Sequence, residues 1–365
     1  MILDGEWGVI MRKTWVDSWR GILIFQIVIF HVLGVAIHNA TESAIPLLER
    51  VYAEIASYHV MAFFAITGVV WVGKDVEGIV EYAKKKAYRL LLPYLVWSLL
   101  WAFFFCLLLT LKGSDINSLA ANGSSIAWWQ PFVSIILGNG YPNGAGWRVI
   151  NALWFLPHMF VVLLTFFSID KFVRAGQIFL VLPLFALSRW FTSFGVVLPF
   201  RFEWIPSSLM FLILVRHMMP YFSTERKVIA FALATMLYAL FVAPSFVNHI
   251  SDMMGLESWR LIIRSFLAIM GSAMLAKAVD NKWLGTVGKA SLGILVTHKF
   301  FILAFQTSHG LMKALFAHDN GVAVLLFVCV FAVVVTALAV FATMLIRRHH
   351  LAVMLGEGWL KRNAT

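Results

Sequence analysis

Apolar runs about as long as a bilayer's hydrocarbon core is thick recur along this chain, and they leave few folds open to it. Ten of them, near 20–38, 58–73, 90–111, 149–168, 177–190, 204–222, 227–246, 259–279, 287–307 and 322–346, read as helices crossing a core of about 30 Å. Hydrophobic residues make up 61% of the 365 and charged ones 13%, far from the soluble balance of about half apolar and a quarter charged. The expected fold is therefore an all-α integral membrane bundle of about ten transmembrane helices, one membrane-embedded domain over 1–365 with no appended soluble domain. Pro183, Pro199 and Pro206 interrupt the fifth and sixth runs and read equally as kinks, because buried membrane helices tolerate proline. The first run ends in Ala36-Ile-His-Asn-Ala40, faintly like a signal-cleavage site, but polar residues aligned along it mark it as a retained helix.

Most of the 29 lysines and arginines fall on alternate loops and helix ends, among them Arg20, Lys84 to Lys86, Arg89, Arg174, Arg216, Lys289 and Arg347. By the positive-inside rule that side is cytoplasmic, which puts both termini in the cytoplasm. The net charge of +11 is thus a topology signal; it forms no aromatic-interleaved basic stripe, so nucleic acid is not an expected partner. The longest external segment, about 112–148, carries Asn117, Gly123, Asn139, Gly140 and Pro142 and reads as a turn-rich loop. Cys106 and Cys329 both sit in apolar runs, which gives no disulfide framework.

Against this apolar background the ionisable residues stand out. His31 lies in the middle of the first run, where an ionisable side chain is costly and by default a functional candidate. Arg20 precedes it by eleven positions, which returns to the same helix face about 16 Å away along the axis, and Asp17 falls near that face. A histidine there can act as general base for a hydroxyl or as a transient nucleophile. His59 opens the second run at a comparable depth and reads either as a second catalytic group or as an interfacial residue; His158 and His298 pose the same question. Lys84-Lys-Lys-Ala-Tyr-Arg89 suits either topology alone or an anion site in which Lys85, Lys86 and Arg89 join Arg20 on a ligand's phosphates. Trp128, Trp129, Trp147, Trp190, Trp204 and Trp259 fit an interfacial belt or a sugar-stacking cleft, with Glu203, Asp252, Glu257 and Asp319 as candidate partners for sugar hydroxyls. No zinc-type ligand spacing, nucleophile elbow or Walker loop occurs, so neither a metal site nor a nucleotide-driven pump is expected.

Five segments then carry a resemblance. Asp17-Ser-Trp-Arg20-Gly21 continuing to His31 resembles the opening helix of the acyltransferase-three family of bacterial membrane O-acyltransferases, including the ten residues between arginine and histidine. His59-Val-Met-Ala-Phe-Phe-Ala-Ile-Thr-Gly68 resembles its His-Met-Pro-Leu-Phe-Phe…Ser-Gly segment, with a shifted methionine and no proline. Lys86-Ala-Tyr-Arg89 with Pro93-Tyr94 resembles its basic-x-x-Arg motif, lysine replacing the usual arginine. Leu153-Trp-Phe-Leu156 and Gly288-Lys-Ala-Ser291 to His298 resemble a middle and a late segment.

The resemblance, which includes stand-alone relatives of fucose 4-O-acetylases, implies a bacterial cytoplasmic-membrane enzyme. It implies an acyl-CoA donor, usually acetyl-CoA, and a hydroxyl acceptor on a cell-surface glycan or its lipid-linked precursor. Arg20, Lys85, Lys86 and Arg89 would hold the donor, His31 with Asp17, Arg20 and His59 would serve catalysis, and Trp154, Glu203 and His298 are candidates for the acceptor. A protein partner is possible without being implied. A transporter or flippase for a lipid-linked or small polar substrate is the competing class; it would need no cytoplasmic phosphate clamp and would release no acyl product.

Overall fold

The computed structural model describes residues 14–71, 78–112, 128–138, 153–222, 224–242 and 259–357. Of the loop expected over 112–148, residues 113–127 and 139–148, Trp147 among them, lie outside these residues, as do Asp252 and Glu257, while its middle is a helix over Gln130–Leu137 and not a turn-rich loop. Among the described residues there is no strand, and fifteen α-helices follow one another: α1 (Thr14–Asn39), α2 (Ile45–Ala56), α3 (His59–Val70), α4 (Ile79–Lys86), α5 (Leu92–Lys112), α6 (Gln130–Leu137), α7 (Phe155–Phe172), α8 (Val181–Ser193), α9 (Ile205–Met218), α10 (Lys227–Val242), α11 (Trp259–Ala278), α12 (Lys282–Lys289), α13 (Ser291–Gln306), α14 (His309–Phe316) and α15 (Gly321–Arg348).

Eight helical stretches among the described residues are long and apolar enough to cross a membrane, against the ten expected. Two of the expected ten take another form. The run at 287–307 is a pair, α12 and α13, bent by 77° at Ala290, and α10, at 16 residues, is a shorter apolar helix. The second crossing also begins earlier than expected, running over Ile45–Val70 rather than 58–73. Its polar residues concealed it: Glu54 would be costly in lipid unpaired, but Arg264 of α11 meets it at 2.7 Å. His59 consequently lies inside this crossing, not at its outer end. Pro206 stands in the first turn of α9, where its missing N–H costs nothing.

α1 is the hub. It packs against α2, α3, α11, α12, α13, α14 and α15, and its residues enter both apolar cores, Trp19 and Leu23 in one, Ile24, Val28 and Val32 in the other. Asp17 and Ser18 of this helix, 3% and 0% exposed, face protein. Helix approach is closest at small residues: Gly21 of α1 abuts the backbone of Leu284 on α12, and Gly68 of α3 abuts Leu212 on α9.

Near the end of α7, Asp170 is 2% exposed and accepts hydrogen bonds from Trp71 Nε1, Gln177 Nε2 and Arg216 Nη1, all at 2.8 Å, with Arg174 at 3.5 Å. It ties the end of α3 to α7 and α9. Asp170→Ala strands buried donors and Arg216; with both arginines partly solvated, the expected loss is about 2 kcal/mol, below the range for a fully buried pair. Thermal unfolding of the purified protein measures it, and an unchanged midpoint would contradict this role.

Candidate functional site

A cavity of about 460 Å³ opens where the Arg20 end of α1 meets α3, α4, α7, α12 and α13. Arg20, Lys86, Arg89 and Lys289 all line it, four cations from three separate stretches of sequence. Each is positioned by a local device. Arg20 is held at 3.3 Å by Asp17, whose own side chain is 4% exposed and whose backbone lies against Gly288 of α12. Lys86 has its Nζ 5.2 Å above the ring of Tyr82, a residue 1% exposed that stacks on Phe167. Arg89 sits in a single π-helical turn, Ala87–Leu91. Pro93 explains the turn: without an N–H it cannot donate to the Arg89 carbonyl four residues back, and the helix widens there. Lys289 ends α12, its carbonyl accepting from Arg347 Nη2 at 3.0 Å.

Lys85 departs from expectation. It is within 3.8 Å of Glu81 and does not line the cavity, because consecutive helical residues point about 100° apart and only Lys86 faces inward.

Ile27, Phe63 and Leu295 also line the cavity, and each stands one helical turn from a histidine. Ile27 precedes His31 by four residues on α1, Phe63 follows His59 by four on the antiparallel α3, and Leu295 precedes His298 by three on α13. All three imidazoles thus lie about 5 Å further along their helices in the same direction, away from the cations. There they meet: His31 stacks on His298 with ring centroids 5.2 Å apart, and Phe30 touches both His31 (5.2 Å) and His59 (4.9 Å). Within this group His31 alone keeps partial exposure, while His298 is 0% and His59 5% exposed.

The buried pair is anchored. His59 Nδ1 lies 2.6 Å from the Ile55 carbonyl and His298 Nδ1 2.8 Å from that of Ile294. A carbonyl oxygen only accepts, so both Nδ1 atoms donate, and in the neutral rings each Nε2 is left as an acceptor. His298 Nε2 is buried and, among the described residues, has no hydrogen-bond partner. The rings do not make a metal centre: among the described residues no group of His, Cys, Asp or Glu is arranged to hold an ion.

Other candidates fall elsewhere. Asp17 precedes His31 by fourteen residues, about 21 Å along α1, so it acts on Arg20 and cannot touch the imidazole. Trp154 lies edge-on to His158 (5.6 Å) and Trp204 (5.5 Å), and His158 is closed off between Phe200 O and Ser208 Oγ at 3.1 and 3.0 Å. Glu203 accepts from Leu198 N at 3.0 Å and Arg201 Nη1 at 3.3 Å, clasping a turn in which Phe200 and Arg201 have φ of 56° and 58°. Left-handed backbone at two bulky residues needs such a clasp, which occupies both carboxylate oxygens. His298, grouped in sequence with Trp154 and Glu203, belongs instead with His31. Sequence reasoning missed Lys289 and Glu357 as cavity residues; Lys289 stood within a quoted motif but counted only as a topology charge.

A family model described as an acyltransferase domain matches residues 13–344. No curated protein and no solved structure matches the chain. The match runs from just before α1 to within α15 and so takes in Arg20, Lys86, Arg89, Lys289 and all three clustered histidines; the chain belongs to the acyltransferase-three family and is a membrane acyltransferase.

Proposed function

We propose that the protein moves an acyl group, most simply acetyl, from cytoplasmic acyl-CoA to a hydroxyl of a cell-surface glycan or its lipid-linked precursor. The observation that carries this reading is the line from four cations, through an apolar-walled cavity, to three histidines one turn beyond its end. The bulk of the basic residues and this cavity mouth share one side, which by the positive-inside rule is cytoplasmic in a bacterial inner membrane, with both termini there. Arg20, Lys86, Arg89 and Lys289 hold the donor's phosphates. The apolar stretch between Arg20 and His31, about 16 Å, takes the arm that carries the thioester.

At the far end His31 removes the proton from the acceptor hydroxyl as its oxygen attacks the thioester carbonyl; the C–S bond breaks and the imidazolium returns the proton to the departing thiolate. The open Nε2 of His298 offers an acceptor for the same hydroxyl, and His59 walls the group on the α3 side. If His31 instead carries the acyl group covalently, acyl-histidine accumulates with donor alone; under direct attack it does not.

The test is transfer of label from radiolabelled acetyl-CoA to an envelope-glycan fraction by purified protein. Arg89→Gln, losing one charge-assisted contact, is expected to raise the donor KM about tenfold with kcat little changed. Wild-type protein that neither binds nor consumes the donor would overturn the reading in favour of a transporter or flippase.

A further inference from the structure

The chain beyond α15 folds back onto the cationic cavity. Leu355 and Glu357 both line it, and Glu357 is the one carboxylate among the described lining residues. The segment is firmly anchored up to Leu355, which is 1% exposed, and Met354 O accepts from Trp97 Nε1 at 2.9 Å. Gly356 follows with φ of 64° and lies so close to Arg89 that a Cβ there would come within 2.6 Å of the Arg89 carbonyl oxygen; only glycine meets both demands. Immediately after it, the Glu357 carboxylate is forked by Arg347, Nη2 to Oε1 at 2.6 Å and Nε to the two oxygens at 3.2 and 3.1 Å. The same Arg347 reaches the carbonyl of Lys289, itself a cavity cation. Both members of this pair stay accessible, Arg347 at 36% and Glu357 at 40% exposure.

A planar carboxylate on a guanidinium fork, beside four further cations, stands where a phosphate would bind, since arginine receives both anions through the same two-pronged geometry. We propose that Arg347 is a further phosphate-binding residue of this cavity, occupied by Glu357 as an internal counter-ion until a ligand phosphate displaces that carboxylate. The inference rests on the donor reading for the identity of the ligand, but the exchange itself requires only a polyphosphate. Displacement is local: the backbone stays held as far as Glu357, whose N–H donates to Ala352 O at 3.0 Å, so a rotamer change of the Glu357 side chain releases the fork.

Calorimetric titration of the whole purified protein with coenzyme A and, separately, with inorganic pyrophosphate tests it. Glu357→Gln keeps shape and removes the competing charge, so both probes are expected to bind about fivefold tighter, the scale of one accessible ion pair. Arg347→Met in the Glu357→Gln background is expected to erase that gain. Unchanged or weaker binding in Glu357→Gln overturns the proposal, as does a double variant that keeps the gain, which would be simple relief of repulsion. Should the double variant not fold, Arg347→Lys in the same background, which keeps the charge and loses the two-pronged geometry, takes its place, and a gain retained in full there overturns the proposal in the same way. Pyrophosphate binding that responds as stated, without coenzyme A binding, would sustain the proposal while the donor reading fails; absence of binding by both probes overturns it.

Discussion

His31→Ala is expected to lower acyl transfer about a thousandfold, within the range a positioned general base supplies, while donor affinity stays within about twofold of wild type. The separation follows from geometry. The proposed donor contacts are Arg20, Lys86, Arg89 and Lys289, and the lining of the cavity reaches Ile27, one turn short of the imidazole. Removing the ring therefore leaves the clamp untouched. The neighbouring histidines do not substitute, since both lie deeper in the protein than His31, His59 at 5% and His298 at 0% exposure. Single-turnover transfer from radiolabelled acetyl-CoA, alongside coenzyme A titration of the same preparation, separates the two effects. A variant with raised KM and unaltered kcat would place His31 in binding and remove it from the chemistry.

The axis of this site was legible in the sequence because it lies on one helix. Helical periodicity alone aligns Arg20 and His31, and apolar surroundings alone make both conspicuous. Lys86 and Arg89 were legible as a local cluster, but Lys85, four residues before Arg89, shares its face as nearly as Lys86 does, and only the folded chain separates the two, with Lys85 beside Glu81 and Lys86 lining the cavity. What could not be read was convergence between distant segments. His298 comes to stack on His31 only because the pair α12–α13 bends by 77° at Ala290, and nothing in the run at 287–307 distinguishes that bend from a straight crossing. Lys289 and Glu357 enter the cavity through that bend and through a chain reversal beyond α15. The early start of the second crossing was hidden for a related reason. Glu54 reads as a solvent-facing charge until Arg264, 210 positions away, is seen to pair with it. Glu203 and Trp154, conversely, had the chemistry of an acceptor site, yet local backbone demands at Phe200 and Arg201 already use the carboxylate.

The bend also makes the cavity depend on two glycines at one crossing, and two substitutions three residues apart on α12 isolate that dependence. A Cβ on Gly288 would fall on the Asp17 carbonyl oxygen, 2.7 Å from its carbon and 3.0 Å from Gly21 N; these are backbone atoms, which cannot swing aside as a side chain does. Gly21 meets α12 reciprocally, its Cβ position lying 3.3 Å from Gly288 N. Any side chain at 288 must therefore push α12 away from α1. Because Arg20 adjoins Gly21 and Lys289 adjoins Gly288, that separation pulls apart two of the four cations while exposing the buried Asp17. Gly288→Leu is expected to cost more than about 3 kcal/mol, beyond ordinary overpacking, and to abolish coenzyme A binding in whatever protein folds. Gly285 lies in the same helix with nothing within 4 Å of its Cβ position. Gly285→Ala should leave binding intact and raise stability by up to about 1 kcal/mol, since alanine lowers the entropic cost of the helix. Thermal unfolding of both variants in one detergent reads the contrast. Equal behaviour of the two would mean that α1 and α12 do not cross in backbone contact, and that the four cations are brought together by some other packing.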